Sequence, residues 1–138
     1  MPLKAIVVDD EQLIRELLRH VLEIRGYKVM TYAQPDLCPF YDEAECPCPD
    51  AARCADLLIT DVNMPGCTGI EFVERLIRAD CKIPNIAIMS GSWTVTERTR
   101  AEATGCAIFE KPLRMSDLEA WLESCEQRMR ADSLVTSH

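Results

Sequence analysis

The sequence predicts an α/β fold, a parallel sheet covered by helices on both faces, and three observations lead there. Short apolar runs such as Ala5-Ile6-Val7-Val8 and Leu57-Leu58-Ile59 alternate with longer stretches whose apolar residues recur every three or four positions. Near-continuous apolar runs are what parallel strands buried on both faces require. The polar residues that stand out, Asp9, Asp10, Asp61, Ser90 and Lys111, all fall at the carboxyl ends of such runs, where open α/β sheets bind ligands.

Each element has its own reason. Leu3 to Val8 is the first strand, and after Asp10 the positions Leu13, Ile14, Leu17, Leu18, Val21 and Leu22 trace one helical face that Gly26 closes. Tyr27 to Tyr32 and Asp56 to Thr60 read as the next two strands. Ile70 to Ala79 is a helix with Val73, Leu76 and Ile77 inward. Asn85 to Met89 is a fourth strand ending at Ser90-Gly91, and Thr94 with Glu97 makes a capping box for a helix that stops at Gly105. Ala107-Ile108-Phe109 is the last strand. Ser116 with Glu119 caps a final helix whose apolar face is Leu118, Trp121, Leu122, Cys125 and Met129, and the polar tail from Ala131 frays.

At 138 residues the chain fits one domain. Fifteen basic against 23 acidic residues give a net charge of -8 with no basic stripe, which argues against direct nucleic-acid binding. The first apolar run is too short for a signal peptide or a membrane span, so a cytoplasmic protein that does not contact membrane is expected, with its eight cysteines mainly reduced.

Asp9 and Asp10 after one strand and Asp61 after another bring three carboxylates to one edge. Like charges held that close call for a hard divalent cation with oxygen ligands. An ordinary turn or N-cap role accounts for one of the two adjacent acids and leaves the other unexplained.

The motifs Val7-Val8-Asp9-Asp10, Asp61-Val62-Asn63-Met64-Pro65 with Gly69, Met89-Ser90-Gly91 and Lys111-Pro112 resemble, in order and approximate spacing, the receiver domain of two-component response regulators, over roughly residues 3 to 125. The resemblance implies a flavodoxin-like (βα)5 doubly wound sheet of five parallel strands in the order 2-1-3-4-5. It also implies a Mg²⁺-dependent transfer of a phosphoryl group from a histidine kinase or phosphotransfer protein onto Asp61. On that reading Asp10, Asp61 and the backbone carbonyl of Asn63 hold Mg²⁺, and Asp9 acts through a coordinated water. Lys111 and Ser90 then serve the phosphoryl oxygens, and Gly91 leaves room for the donor. The chain is expected to be a signalling switch that modifies only itself, not an enzyme of free substrates. Its receiver would occupy residues 1–125, followed by the end of the last helix and a flexible tail over 126–138. A stand-alone receiver without an output domain is expected, its output a contact with a further protein, by a monomer or a phosphorylation-dependent dimer. The expected surface includes Ser90, Trp93, Ile108 and Phe109.

Two departures stand out. The position three before the lysine, usually aromatic in the family, is Ile108; with the segment from Gly105 to Lys111 one residue short, either Phe109 is presented instead or the aromatic switch is missing. Trp93 reads equally as a partner-facing or a partly buried residue. Within the atypical stretch 34–55, Pro39, Pro47 and Pro49 are incompatible with an ordinary second helix, which is expected to be shortened or replaced by a Cys/Pro-rich loop. Cys38, Cys46, Cys48 and Cys54 either bind zinc or an iron-sulfur cluster or serve as small hydrophobes in that loop; the C-x-C core fits zinc spacing poorly. Two other classes compete. A metal- or redox-sensing scaffold would use those cysteines, and an aspartyl-phosphate phosphohydrolase would need D-x-D on its first strand, where this chain has D-D.

Overall fold

The computed structural model describes residues 3–34, 55–64 and 68–136. Its elements run β1 (Leu3–Val8), α1 (Gln12–Ile24), β2 (Tyr27–Tyr32), β3 (Leu57–Asp61), α2 (Gly69–Arg78), β4 (Asn85–Ser90), α3 (Val95–Ala103), β5 (Ala107–Glu110) and α4 (Met115–Thr136). The strands form one parallel sheet in the order β2-β1-β3-β4-β5. The strand order and the α/β layering are those expected; the expectation of a shortened or replaced second helix, and the four cysteines considered with it, fall in 35–54, outside the described residues.

Alternation along each strand divides the core between the two faces, because successive side chains leave a strand on opposite sides. Ile6, Val8, Leu58 and Ile88 pack with Phe72, Val73 and Leu76 of α2 and Ala101 of α3. Ala5, Val7, Leu57, Ile59 and Met89 pack with Leu18 and Leu22 of α1 and Leu118, Leu122 and Cys125 of α4. β1 and β3 lie inside the sheet with helices on both sides, so their side chains from Ala5 and from Leu57 onward are buried throughout. Each fully buried Leu or Ile contributes about 1.5–3 kcal/mol. Gly26 and Gly105 end α1 and α3 at φ of +96° and +78°, a left-handed turn that suits a residue without Cβ.

Three local expectations need correction. Ile77 points to solvent and Phe72 takes the inward place, because α2 turns the arc Ile70, Phe72, Val73 and Leu76 toward the sheet. Ser116 does not cap the last helix: α4 already begins at Met115, and the amides of Asp117 and Leu118 both donate to the Arg114 carbonyl. Nor does helix end at Ala131, since α4 continues to Thr136. The box at Thr94 and Glu97 does form, with both reciprocal bonds at 3.0 Å. Among the described residues no helix is long and apolar enough to cross a membrane.

Candidate functional site: an acidic pocket at the carboxyl edge of the sheet

Strand register assembles the site. Val8 of β1 is level with Thr60 of β3, so the next residues, Asp9 and Asp61, emerge side by side. Asp61 is level with Met89 of β4, which puts Ser90 one step further, and Ser90 is level with Glu110 of β5, one residue before Lys111. The Lys111 amide donates to the Ser90 carbonyl at 2.9 Å, fixing the last of these steps. Residues far apart in sequence thus share one edge because they end neighbouring parallel strands.

One carboxylate oxygen from each of Asp9, Asp10 and Asp61 lies within 4.8 Å of the other two, with Asp9 and Asp61 buried and Asp10 exposed. The three differ in what they already hold. Asp9 Oδ1 accepts the Glu11 amide at 2.9 Å, and its Oδ2 accepts Lys111 Nζ at 2.9 Å. Asp61 Oδ1 is buried and has no hydrogen-bond partner, its cationic neighbour being Lys111 Nζ at 3.3 Å. Burial first, then the charge of Asp9, pushes the Asp61 carboxyl up to about 6, against the pull of Lys111. Asp9 is likewise raised, chiefly by burial, although the Glu11 amide and Lys111 oppose it. Burial would lower the Lys111 ammonium, but its bond to Asp9 and the charge of Asp61 outweigh it, so Lys111 is held above its usual range.

This donor set fits a hard divalent cation. It is all oxygen, and it carries more negative charge than Lys111 offsets.

The surroundings hold the loops close. Gly69 donates to the Val62 carbonyl at 3.0 Å, and a Cβ there would collide with the Asp61 backbone carbonyl, so the start of α2 approaches the site as only glycine allows. Thr68 caps that helix through the Glu71 amide at 3.1 Å. A Cβ on Gly91 would meet only Lys111 Cβ, at 3.8 Å, so the mouth of the site is open there. Ser90 Oγ is buried and accepts the Ser92 amide at 3.1 Å and Asn63 Nδ2 at 3.3 Å.

Of the expected output residues, Ile108 and Phe109 face opposite sides of β5. Ile108 joins the α2 and α3 side of the core, and Phe109 packs edge to face on Trp121 of α4 with ring centroids 5.8 Å apart. Trp93 is half-buried on the Ile108 side, and its Nε1 donates to the Phe109 carbonyl at 3.0 Å. It is therefore tied into the fold and not simply presented to a partner. Pro65 and Cys67 lie outside the described residues.

Sequence reasoning missed two participants. Glu11 reaches Lys111 Nζ at 3.3 Å, and its place directly after the acid pair was the available signal. Asn63 was singled out for its carbonyl, yet its side chain bonds Ser90, and nothing in the sequence marks that use. An apolar cleft of about 540 Å³ opens next to Lys111, lined by Ile14, Leu17, Leu18, Met89 and Leu113; Leu13 of α1, expected on the same helical face, is instead 79% exposed.

A family model described as the response regulator receiver domain matches residues 5–123. The phosphate regulon transcriptional regulatory protein PhoB of Rhizobium meliloti (strain 1021) is 33% identical over 96% of the chain and 56% of its own length. The two-component response regulator ARR17 of Arabidopsis thaliana is 29% identical over 85% of the chain and 80% of its own length. The chain spans about half the length, or less, of several curated relatives that it matches. Among solved structures, the chemotaxis protein CheY4 of Vibrio cholerae superposes with a TM-score of 0.69 at 28% identity, over 91% of this chain and 99% of that one.

Proposed function

Because this chain belongs to the response regulator receiver domain family, we propose that it accepts a phosphoryl group on Asp61 and uses the change in charge to switch a protein contact. The observation that carries this reading is Asp61 itself: a buried carboxylate set between two further acids and a lysine.

A carboxylate is a competent nucleophile toward phosphorus, and the transfer needs in-line positioning and charge neutralisation more than proton removal. An Asp61 oxygen attacks the phosphorus of a phosphohistidine, the phosphorus–nitrogen bond breaks, the imidazole leaves with that electron pair, and an acyl phosphate remains. Asp61 needs no base for this. Lys111 offers the incoming oxygens a compact positive charge already in place, and Ser90 a hydroxyl that can donate to one of them. Asp10 and Asp61, with the carbonyl of Asn63, would hold Mg²⁺; both oxygens of Asp9 are already engaged, which suits it to act through water. Bound there, the cation would neutralise charge that the three acids and the phosphoryl group would otherwise oppose.

The donor is a histidine kinase or a phosphotransfer protein. The apolar cleft along α1 beside Lys111 supports this, since a protein donor must bury surface next to the mouth it reaches into. Phosphorylation then replaces one carboxylate charge by roughly two on a group with three acceptor oxygens, drawing the Ser90 loop and the face of α3, β5 and α4 toward a second state that a partner reads. On this reading the receiver itself is a signalling switch whose own modification is the reaction it supports.

Acetyl phosphate with Mg²⁺ tests the core of the reading by intact mass. The parent should gain one phosphoryl group that hydroxylamine removes, and Asp61→Asn should gain none. Equal modification of the two proteins would overturn the assignment.

A further inference from the structure

We infer that Trp93 is a positioning residue that couples Ser90 to β5, supplying from the loop the aromatic link that β5 lacks at Ile108. The inference rests on the phosphoacceptor reading above and adds the path by which the modified site is read.

Ser90 Oγ accepts two hydrogen bonds, one from Asn63 and one from its own loop through the Ser92 amide. These occupy its lone pairs and leave its proton for an oxygen on the Asp61 side. When Ser90 turns to donate to a phosphoryl oxygen, the bond from Ser92 must lengthen or move with it. The next residue is Trp93. Its indole N–H is held at 3.0 Å by the carbonyl of Phe109, on the edge strand β5. A displacement of about 1 Å suffices to take such a bond out of range. From Phe109 the contact continues into α4, because its ring packs at 75° on Trp121. Ser90, Ser92, Trp93, Phe109 and Trp121 thus form one chain of contacts from the pocket to the last helix. On the core side of this path Trp93 and Ile108 pack on the same cluster, so an indole anchored in the loop stands where an aromatic residue of the strand would otherwise be expected.

The sequence has two tryptophans, so Trp121→Phe, which keeps a ring against Phe109, leaves Trp93 as the reporter. This protein and the parent are treated with acetyl phosphate and Mg²⁺ and followed by intact mass, tryptophan emission and backbone hydrogen exchange. On modification, Trp93 emission should shift in Trp121→Phe, and the amides of β5 should change their exchange rates in the parent. Trp93→Phe, which keeps a ring but loses the N–H, should take the phosphoryl group at the parent's rate and lose the β5 exchange response. A modified protein with unchanged Trp93 emission, or a Trp93→Phe protein with the parent's β5 response, overturns the coupling while the phosphoacceptor reading stands. A parent that takes no phosphoryl group overturns both. If either variant fails to fold, the Trp93 indole N–H resonance of the parent decides: a shift and faster exchange on modification support the inference, and an unchanged indole N–H sinks it.

Discussion

At the amino end of the sheet, Arg25 donates to both oxygens of Glu126, at 2.9 and 2.6 Å, and the Tyr27 hydroxyl adds a third bond at 3.1 Å. At the carboxyl end, Lys111 is shared among Asp9, Asp61 and Glu11, and one oxygen of Asp61 accepts no hydrogen bond. Both clusters are partly buried, yet their electrostatics run in opposite directions. Burial alone would raise Glu126, but Arg25 outweighs it and holds the carboxyl below its usual range, whereas Asp61 is pushed up to about 6. The first cluster stabilises the fold. The second is strained by repulsion among its acids, a state that a bound cation would relieve, and perturbed acids of this kind gather at functional sites.

The sharpest way to break the difference is Gly69→Ala. Its Cβ would collide with the Asp61 carbonyl, so the loop must shift; we expect a loss of about 3 kcal/mol in urea unfolding, together with loss of phosphoryl uptake. Asp61→Asn should move stability the other way. Removing the repelled charge in metal-free protein near pH 8 should raise the unfolding free energy by up to about 3 kcal/mol, while Glu126→Gln should lower it by about 1–3 kcal/mol.

The pH dependence separates the two clusters by sign. With its folded value raised from 3.8 to about 6, Asp61 contributes stability that is complete below its unfolded value and is lost as pH rises through 6. Glu126 is depressed from 4.5, so its contribution is present above that value and lost as pH falls through its lower folded one. Metal-free unfolding curves should therefore show one slope that Asp61→Asn weakens, leaving the part due to Asp9, and an opposite one, at lower pH, that Glu126→Gln removes. Thr94→Ala, which removes a cap outside both clusters, should cost about 1 kcal/mol and change neither slope.

Much of this difference was legible in the sequence at one end only. Adjacent acids after an apolar run, and further polar residues after later runs, need only the rule that parallel strands end together, so Asp9, Asp10, Asp61, Ser90 and Lys111 could be gathered before any coordinates. The Arg25 and Glu126 pair spans α1 and α4, and no periodicity links two surface-spaced charges a hundred positions apart. Helix phase was also hidden: Phe72 and Ile77 are equally apolar, and only the packing of α2 on the sheet decides which one turns inward. The Trp93 bond to Phe109 depends on loop geometry, which spacing does not encode.

On this reading the carboxyl-end acids form a cation-dependent site, whereas the amino-end cluster is complete in itself. Thermal unfolding near pH 8 with and without saturating Mg²⁺ tests it directly, because a ligand that binds only the folded state raises its melting temperature. The account predicts a rise of about 4 °C or more for the parent and for Glu126→Gln, and little or none for Asp10→Asn and Asp61→Asn. A parent indifferent to Mg²⁺, or an equal rise in Asp10→Asn, would contradict it.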